Sequence, residues 1–132
     1  MSSHVIYDEL SISKLKELLK VLDSSNRSDN TAIIIKFGAT WCGPCQKIKS
    51  LCYQHFNKLP NNVICFDLDI DDNLEIYVAY KAKKMVPSIP TIIGYINKPD
   101  RDQQNWYAPD VSVIGSAPHQ IDTFFKEIQN NL

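Results

Sequence analysis

Apolar residues recur along the chain at two spacings. Ile12, Leu15, Leu18, Leu19 and Leu22 repeat every three to four positions, the period of a helix with one buried face, and Ser11 stands where an N-cap belongs. From Thr31 to Phe37 the chain is β-branched and apolar but for Lys36, as expected of a central strand covered on both faces. Gln46 to Lys58 reads as a second helix and Val63-Ile64-Cys65-Phe66 as the next strand. Asp67 to Asp72 then leads into a helix carrying Leu74, Ile76, Tyr77 and Tyr80, with Asp71 or Asp72 as its cap and Lys81, Lys83 and Lys84 toward its C-terminal end. Thr91–Ile96 and Val111–Ile114 form two further strands, and Pro118 opens a last helix on Ile121, Phe124, Phe125 and Ile128. Val5-Ile6-Tyr7 is a short first strand, and the serine-rich stretch Asp23 to Asn30 is a loop.

The resulting order, βαβαβα followed by ββα, implies an α/β fold. Its alternating part calls for parallel strands joined by crossover helices, and its last two strands for an antiparallel pair. About five strands in a central mixed sheet, flanked by about four helices, account for all 132 residues as a single domain spanning 1–132. A net charge of −1 gives no electrostatic footprint for nucleic acid or an anionic membrane. No apolar run approaches the ~20 residues of a membrane-spanning helix. Met1 to Glu9 has neither a basic start nor an apolar core, so no signal peptide is expected and a reducing, cytoplasmic setting is.

Four cysteines are too few for a disulfide scaffold in a chain of this size, so their placement matters more than their number. Cys42 and Cys45, in Trp41-Cys42-Gly43-Pro44-Cys45, stand one helical turn apart, between the apolar strand and the second helix. A thiolate is the nucleophile of disulfide exchange, and a helix N-terminus offers unpaired N–H groups and a partial positive charge to stabilise it. Gly43 permits a tight turn off the strand, and Pro44 sets φ without wasting an N–H. Cys42, ahead of the helix, is expected to be exposed and to attack; Cys45, inside the first turn, to be shielded and to resolve. A C-x-x-C can also be half of a zinc or iron–sulfur site, but Cys52 and Cys65 supply no second pair.

With these elements in place the chain resembles the thioredoxin family over nearly its whole length. The resemblance is carried by Phe37-Gly38-Ala39-Thr40-Trp41-Cys42-Gly43-Pro44-Cys45, by the acidic Asp67-Leu68-Asp69-Ile70-Asp71, by Ile89-Pro90-Thr91 and by Gly115 ahead of the last helix. It implies a thioredoxin fold and a protein-disulfide reductase that works through Cys42 and Cys45. No metal or organic cofactor is then needed, because the dithiol itself carries the electrons. It implies a cis Pro90 against the dithiol, with the Ile89 backbone pairing with an extended substrate. Trp41, Ile89, Gly115 and Ser116 would ring the contact patch. The implied partners are disulfide-containing proteins and a reductase of thioredoxin-reductase type, and the implied state is a monomer.

Two departures from the family pattern stand out. The buried acid usual six positions before the first cysteine is here Lys36, and the lysine usual on the neighbouring strand is here Asp67, so the pair is exchanged in sign. Lys36 either lies behind Cys45, favouring a thiolate there while Asp67 accepts a proton, or snorkels to solvent. The connection from Asn97 to Asp110 is also long, and its Trp106-Tyr107 either packs back on the sheet or marks a partner site. Cys52 and Cys65 read as buried small hydrophobes, and His4, His55 and His119 as surface residues. The Gly-Pro between the cysteines resembles reducing members of the family. A disulfide oxidant or isomerase, or a binding module with an incidental dithiol, are the alternatives.

Overall fold

The computed structural model describes residues 4–24 and 31–132. Residues 25–30 of the expected loop and the first three residues of the chain lie outside them. The elements in chain order are β1 (Ile6–Tyr7), α1 (Ile12–Leu22), β2 (Ala32–Gly38), α2 (Gly43–Lys47), α3 (Lys49–Lys58), β3 (Val63–Asp69), α4 (Leu74–Ala82), β4 (Thr91–Ile96), a 3₁₀ turn (Gln103–Asn105), β5 (Val111–Ile114) and α5 (Pro118–Asn130).

They build one five-stranded sheet in the order β1-β3-β2-β4-β5. β3 runs parallel to both β1 and β2, whereas β4 runs antiparallel to β2 and β5, so the sheet is mixed as the element order implied. All seven residues of β2 are buried. Its alternate side chains serve opposite layers: Ile33, Ile35 and Phe37 pack with the buried leucines of α1 and with Ile76 and Tyr80 of α4. Ala32 and Ile34 pack with Cys52 and Phe56 of α3 and with the apolar face of α5. Among the described residues no helix is long and apolar enough to cross a membrane.

Local chemistry accounts for most element ends. Ser11 caps α1, its side chain accepting from the Lys14 N–H at 3.1 Å. Pro118 occupies the first turn of α5. The cap of α4 is Asn73 rather than Asp71 or Asp72, and Asn73 makes no side-chain cap bond. Its carboxamide instead accepts from the Leu10 N–H and donates to the carbonyls of Asp8 and Asp69, tying the β1–α1 link to the end of β3. Leu74, at the start of α4, is 57% exposed and does not join the core. The expected helix from 46 to 58 is two, α2 and α3, parted at Ile48 where φ is −100° and ψ is 0°. The helices of the described residues therefore number five. Neither Pro nor Gly stands at the break; Ile48 is 1% exposed and buries itself in the layer beneath α3.

The long β4–β5 connection packs back on the body. The Trp106 ring meets the edge of Tyr80 at 5.6 Å, and the Trp106 carbonyl accepts from the Tyr95 hydroxyl at 2.7 Å. Its anchor is Arg101, whose side chain is 5% exposed and donates to Asp23 at 2.7 Å, Asp110 at 2.8 Å and the Ile96 carbonyl at 2.8 Å. Of the histidines, His119 is exposed, but His4 is 9% exposed and His55 stacks on Phe125 at 4.4 Å. The expectation of surface histidines fails for these two because each finds a partner: His4 bonds the Pro60 carbonyl, and His55 bonds Asp122.

Removing one partner of a buried ion pair leaves the others charged and unpaired, at a cost of about 3–5 kcal/mol. Arg101→Met is expected to destabilise by that amount in urea denaturation, through Asp23 and Asp110. A loss under about 1 kcal/mol would show that water satisfies these carboxylates.

Candidate active site

The chain leaves β2 at Gly38 and turns into α2 through Trp41 and Cys42. Cys42 is the N-cap, in extended conformation, and its sulfur accepts from the Cys45 N–H at 3.2 Å. Gly43 and Pro44 fill the first turn and lie exposed, as the turn chemistry requires. Cys42 and Cys45 are joined as a disulfide, with Cα atoms 5.2 Å apart. Cys42 is 6% exposed and Cys45 1%. The order of accessibility is the expected one, but Cys42 is not an open side chain. Both cysteines pack into the apolar layer under α1 and α4, which covers them.

Hydrogen bonds to the acidic end of β3 hold the turn in place. Asp69 accepts from the Thr40 N–H at 3.2 Å and from the Asp71 N–H at 2.9 Å. Asp71 accepts from the indole N–H of Trp41 at 2.8 Å, leaving that ring 65% exposed beside the dithiol. Gln46 donates to the Ala39 carbonyl at 3.0 Å.

The Ile89-Pro90 peptide bond is cis. Ile89 is half-buried and packs against the apolar layer that holds both cysteines. Gly115, at φ +99°, donates its N–H to the Pro90 carbonyl at 2.8 Å, so the end of β5 meets the proline. That φ favours glycine, because a Cβ would crowd the backbone. Ser116 follows, half-buried.

Behind Cys45 the exchanged pair is in contact. Lys36 and Asp67 face each other across β2 and β3, and the Lys36 ammonium lies 3.1 Å from Asp67 Oδ1. Lys36 is 4% exposed, so it does not snorkel. Tyr53, on α3, donates to the other carboxylate oxygen at 2.7 Å. A cavity of about 100 Å³ opens here, lined by Lys36, Gly38, Cys45, Gln46, Lys49 and Asp67 among others. A Cβ on Gly38 would lie 3.4 Å from Cys45 Sγ and 3.5 Å from Lys36 Nζ, so sulfur and ammonium flank one small gap.

Cys52 and Cys65 are buried free thiols. Burial pushes Cys52 up to about 11, against a smaller opposing pull from Lys36, and pushes Cys65 up to about 12. Among the described residues no group of three or more His, Cys, Asp or Glu is placed to hold a metal ion. Tyr53 escaped the sequence reading. Its spacing of eight from Cys45, two helical turns on, was the available signal.

A mixed five-stranded sheet with a C-x-x-C disulfide at the mouth of its central strand, and a cis proline immediately ahead of the neighbouring strand β4, defines a class, and the comparisons with known proteins agree with it. The thioredoxin family model matches residues 17–109, and the chain belongs to the thioredoxin family. Rabbit (Oryctolagus cuniculus) thioredoxin is 36% identical over 66 residues, which are 50% of this chain and 59% of that protein. Thioredoxin-2 of Saccharomyces cerevisiae is 36% identical over 73 residues, 55% of this chain and 65% of that one. The chain thus spans about three-fifths of the length of these two relatives. Among solved structures, reduced Schistosoma mansoni thioredoxin pre-protein superposes with a TM-score of 0.63 at 21% identity, covering 96% of this chain and 99% of that one. Plasmodium falciparum thioredoxin does so with a TM-score of 0.64 at 24% identity, covering 97% and 90%. At these identities the structures establish the thioredoxin fold.

Alkylation of the reduced protein near pH 8 is expected to label Cys42 first, with Cys45 slower and Cys52 and Cys65 unlabelled until the protein unfolds. Peptide mass spectrometry reads the order. Cys52 or Cys45 reacting ahead of Cys42 would reverse the assignment.

Proposed function

We propose that the protein is a thiol–disulfide oxidoreductase that reduces protein disulfides, with residues 1–132 acting as one monomeric domain. The observation that carries this reading is the Cys42–Cys45 pair, bridged across one turn with Cys42 as the more accessible residue. The Cys42 thiolate attacks one sulfur of a substrate disulfide; that bond breaks, and the second substrate sulfur leaves as a thiolate that takes a proton. Cys45 then gives up its proton and attacks Cys42 Sγ. The substrate's remaining sulfur leaves, and two electrons have passed from the dithiol to the substrate.

The dithiol is the electron carrier, so the reaction needs no metal or organic cofactor. Trp41, Ile89, Pro90 and Gly115 are the proposed contacts for an extended segment of the substrate, with Gly43 and Pro44 shaping the turn. A flavoprotein of thioredoxin-reductase type is the proposed source of electrons. A reducing, cytoplasmic compartment is the proposed setting, in which the buried thiols Cys52 and Cys65 stay unpaired.

Reduction of insulin disulfides with dithiothreitol as donor is expected, followed as turbidity. Cys42→Ser is expected to abolish the protein's contribution, and undiminished activity in that variant would end this reading. A mixed disulfide trapped by Cys45→Ser would identify substrates.

A second reading, an oxidant or isomerase, is favoured by one observation, the buried Lys36 ammonium beside Cys45. A cation there stabilises the reduced, thiolate-bearing state and makes the disulfide more oxidising. Lys36→Met keeps the bulk and removes the charge. Its potential in a glutathione titration is expected to become more negative by on the order of 30 mV, equivalent to about 1.4 kcal/mol for two electrons. Equal potentials would mean that Asp67 neutralises the lysine completely.

A further inference from the structure

Tyr53 takes no part in the exchange steps, yet its hydroxyl is the second donor to the carboxylate paired with Lys36. We propose that Tyr53 is a positioning residue for the resolving thiol, holding Asp67 so that Lys36 keeps part of its positive charge for Cys45. The proposal deepens the oxidoreductase reading and rests on it.

The geometry divides one anion between two donors. Asp67 Oδ2 accepts from Tyr53 at 2.7 Å and Oδ1 from Lys36 at 3.1 Å, and the shorter bond belongs to the tyrosine. An ammonium has three N–H donors. Among the described residues Asp67 is the one hydrogen-bond partner of Lys36, so two N–H groups remain for other acceptors. Cys45 lines the same cavity, and its Sγ borders the gap at Gly38 as Lys36 Nζ does. A carboxylate drawn toward a phenol screens the ammonium less than one turned wholly to it, because an N–H···O⁻ bond and its Coulomb energy weaken with distance. Tyr53 is itself well placed to hold still. Its ring meets Phe56 edge-on at 5.7 Å, and Lys49 lies over its face at 6.0 Å. Burial, then the bond to Asp67, holds the phenol far above its ordinary range, so the hydroxyl remains a donor at every working pH.

When a mixed disulfide forms at Cys42, Cys45 must pass from thiol to thiolate before it can attack. Its proton leaves to solvent through the cavity, and the Lys36 charge stabilises the sulfur anion left behind. Tyr53 thereby acts on sulfur chemistry through two intervening groups.

Tyr53→Phe keeps the ring and its contacts and deletes only the donor. The constant for equilibrium of the Cys42–Cys45 couple with glutathione is expected to shift roughly threefold toward the disulfide, the scale of a coupling through a shared partner. The shift is smaller than that of Lys36→Met and in the same direction. In an Asp67→Asn background, where the phenol no longer faces an anion, Tyr53→Phe is expected to change nothing. A second measurement leaves Asp67 intact: with Cys42→Ser in place, the midpoint of the pH profile for Cys45 alkylation is expected to move upward on Tyr53→Phe. An unchanged equilibrium constant, an unchanged midpoint, or an equal shift in the Asp67→Asn background would each overturn the proposal. The glutathione equilibrium is a property of the dithiol and needs no protein substrate. Insulin reduction that survives Cys42→Ser would overturn the oxidoreductase reading while leaving the Tyr53 result to be read by itself.

Discussion

A strand covered on both faces has almost no contact with water, and β2 is such a strand. Each of its backbone groups must find a partner in β3 or β4, and each of its side chains must be apolar or paired. Six of its seven residues meet the second condition with carbon or with no side chain at all. Lys36 meets it with Asp67, the residue opposite it in the register with β3. The dithiol turn leaves from the end of this strand, so sheet register and the chemistry behind Cys45 are set together. A slip of one residue between β2 and β3 would both flip the apolar faces and leave the ammonium uncompensated.

The fold was legible because burial writes periods. Helical spacing in α1 and α5, and the β-branched Ile33-Ile34-Ile35 of β2, each point to one backbone conformation whatever the rest of the chain does. The C-x-x-C was legible because its chemistry needs only local geometry. What escaped depends on residues far apart. Arg101 gathers Asp23 and Asp110 from 78 and 9 residues away, and charges in a polar loop resemble solvated charges until the fold brings them together. Tyr53 escaped similarly, since an aromatic on a helix face reads as packing and its partner lies on β3. Asn73 was passed over as a cap because its side chain serves three backbone groups of other segments. The break at Ile48 has no breaker residue to announce it.

The Asn97–Asp110 connection behaves as part of the body. Tyr80, Tyr95 and Trp106 form one run of contacts from α4 through β4 into the connection, and Arg101 closes it against the residue that ends α1. The aromatic pair thereby turns its rings inward, onto Tyr80 and under Lys83, rather than offering them as a partner surface. Its anchors reach the side of the sheet served by α1 and α4, whereas Lys36, Asp67 and Tyr53 lie on the side served by α3.

Gly38 is set apart by what it lacks. The space its missing methyl leaves borders both the ammonium of Lys36 and the sulfur of Cys45, and both atoms sit at ordinary van der Waals distance from it. An alanine would fit without collision, since its backbone there is not left-handed, but it would slide a hydrocarbon plug into a polar passage. The chain would fold as before, with a methyl set against both the sulfur and the charge. At this position the smallest side chain works as a dielectric window, and a substitution that stability measurements would scarcely register becomes an electrical one.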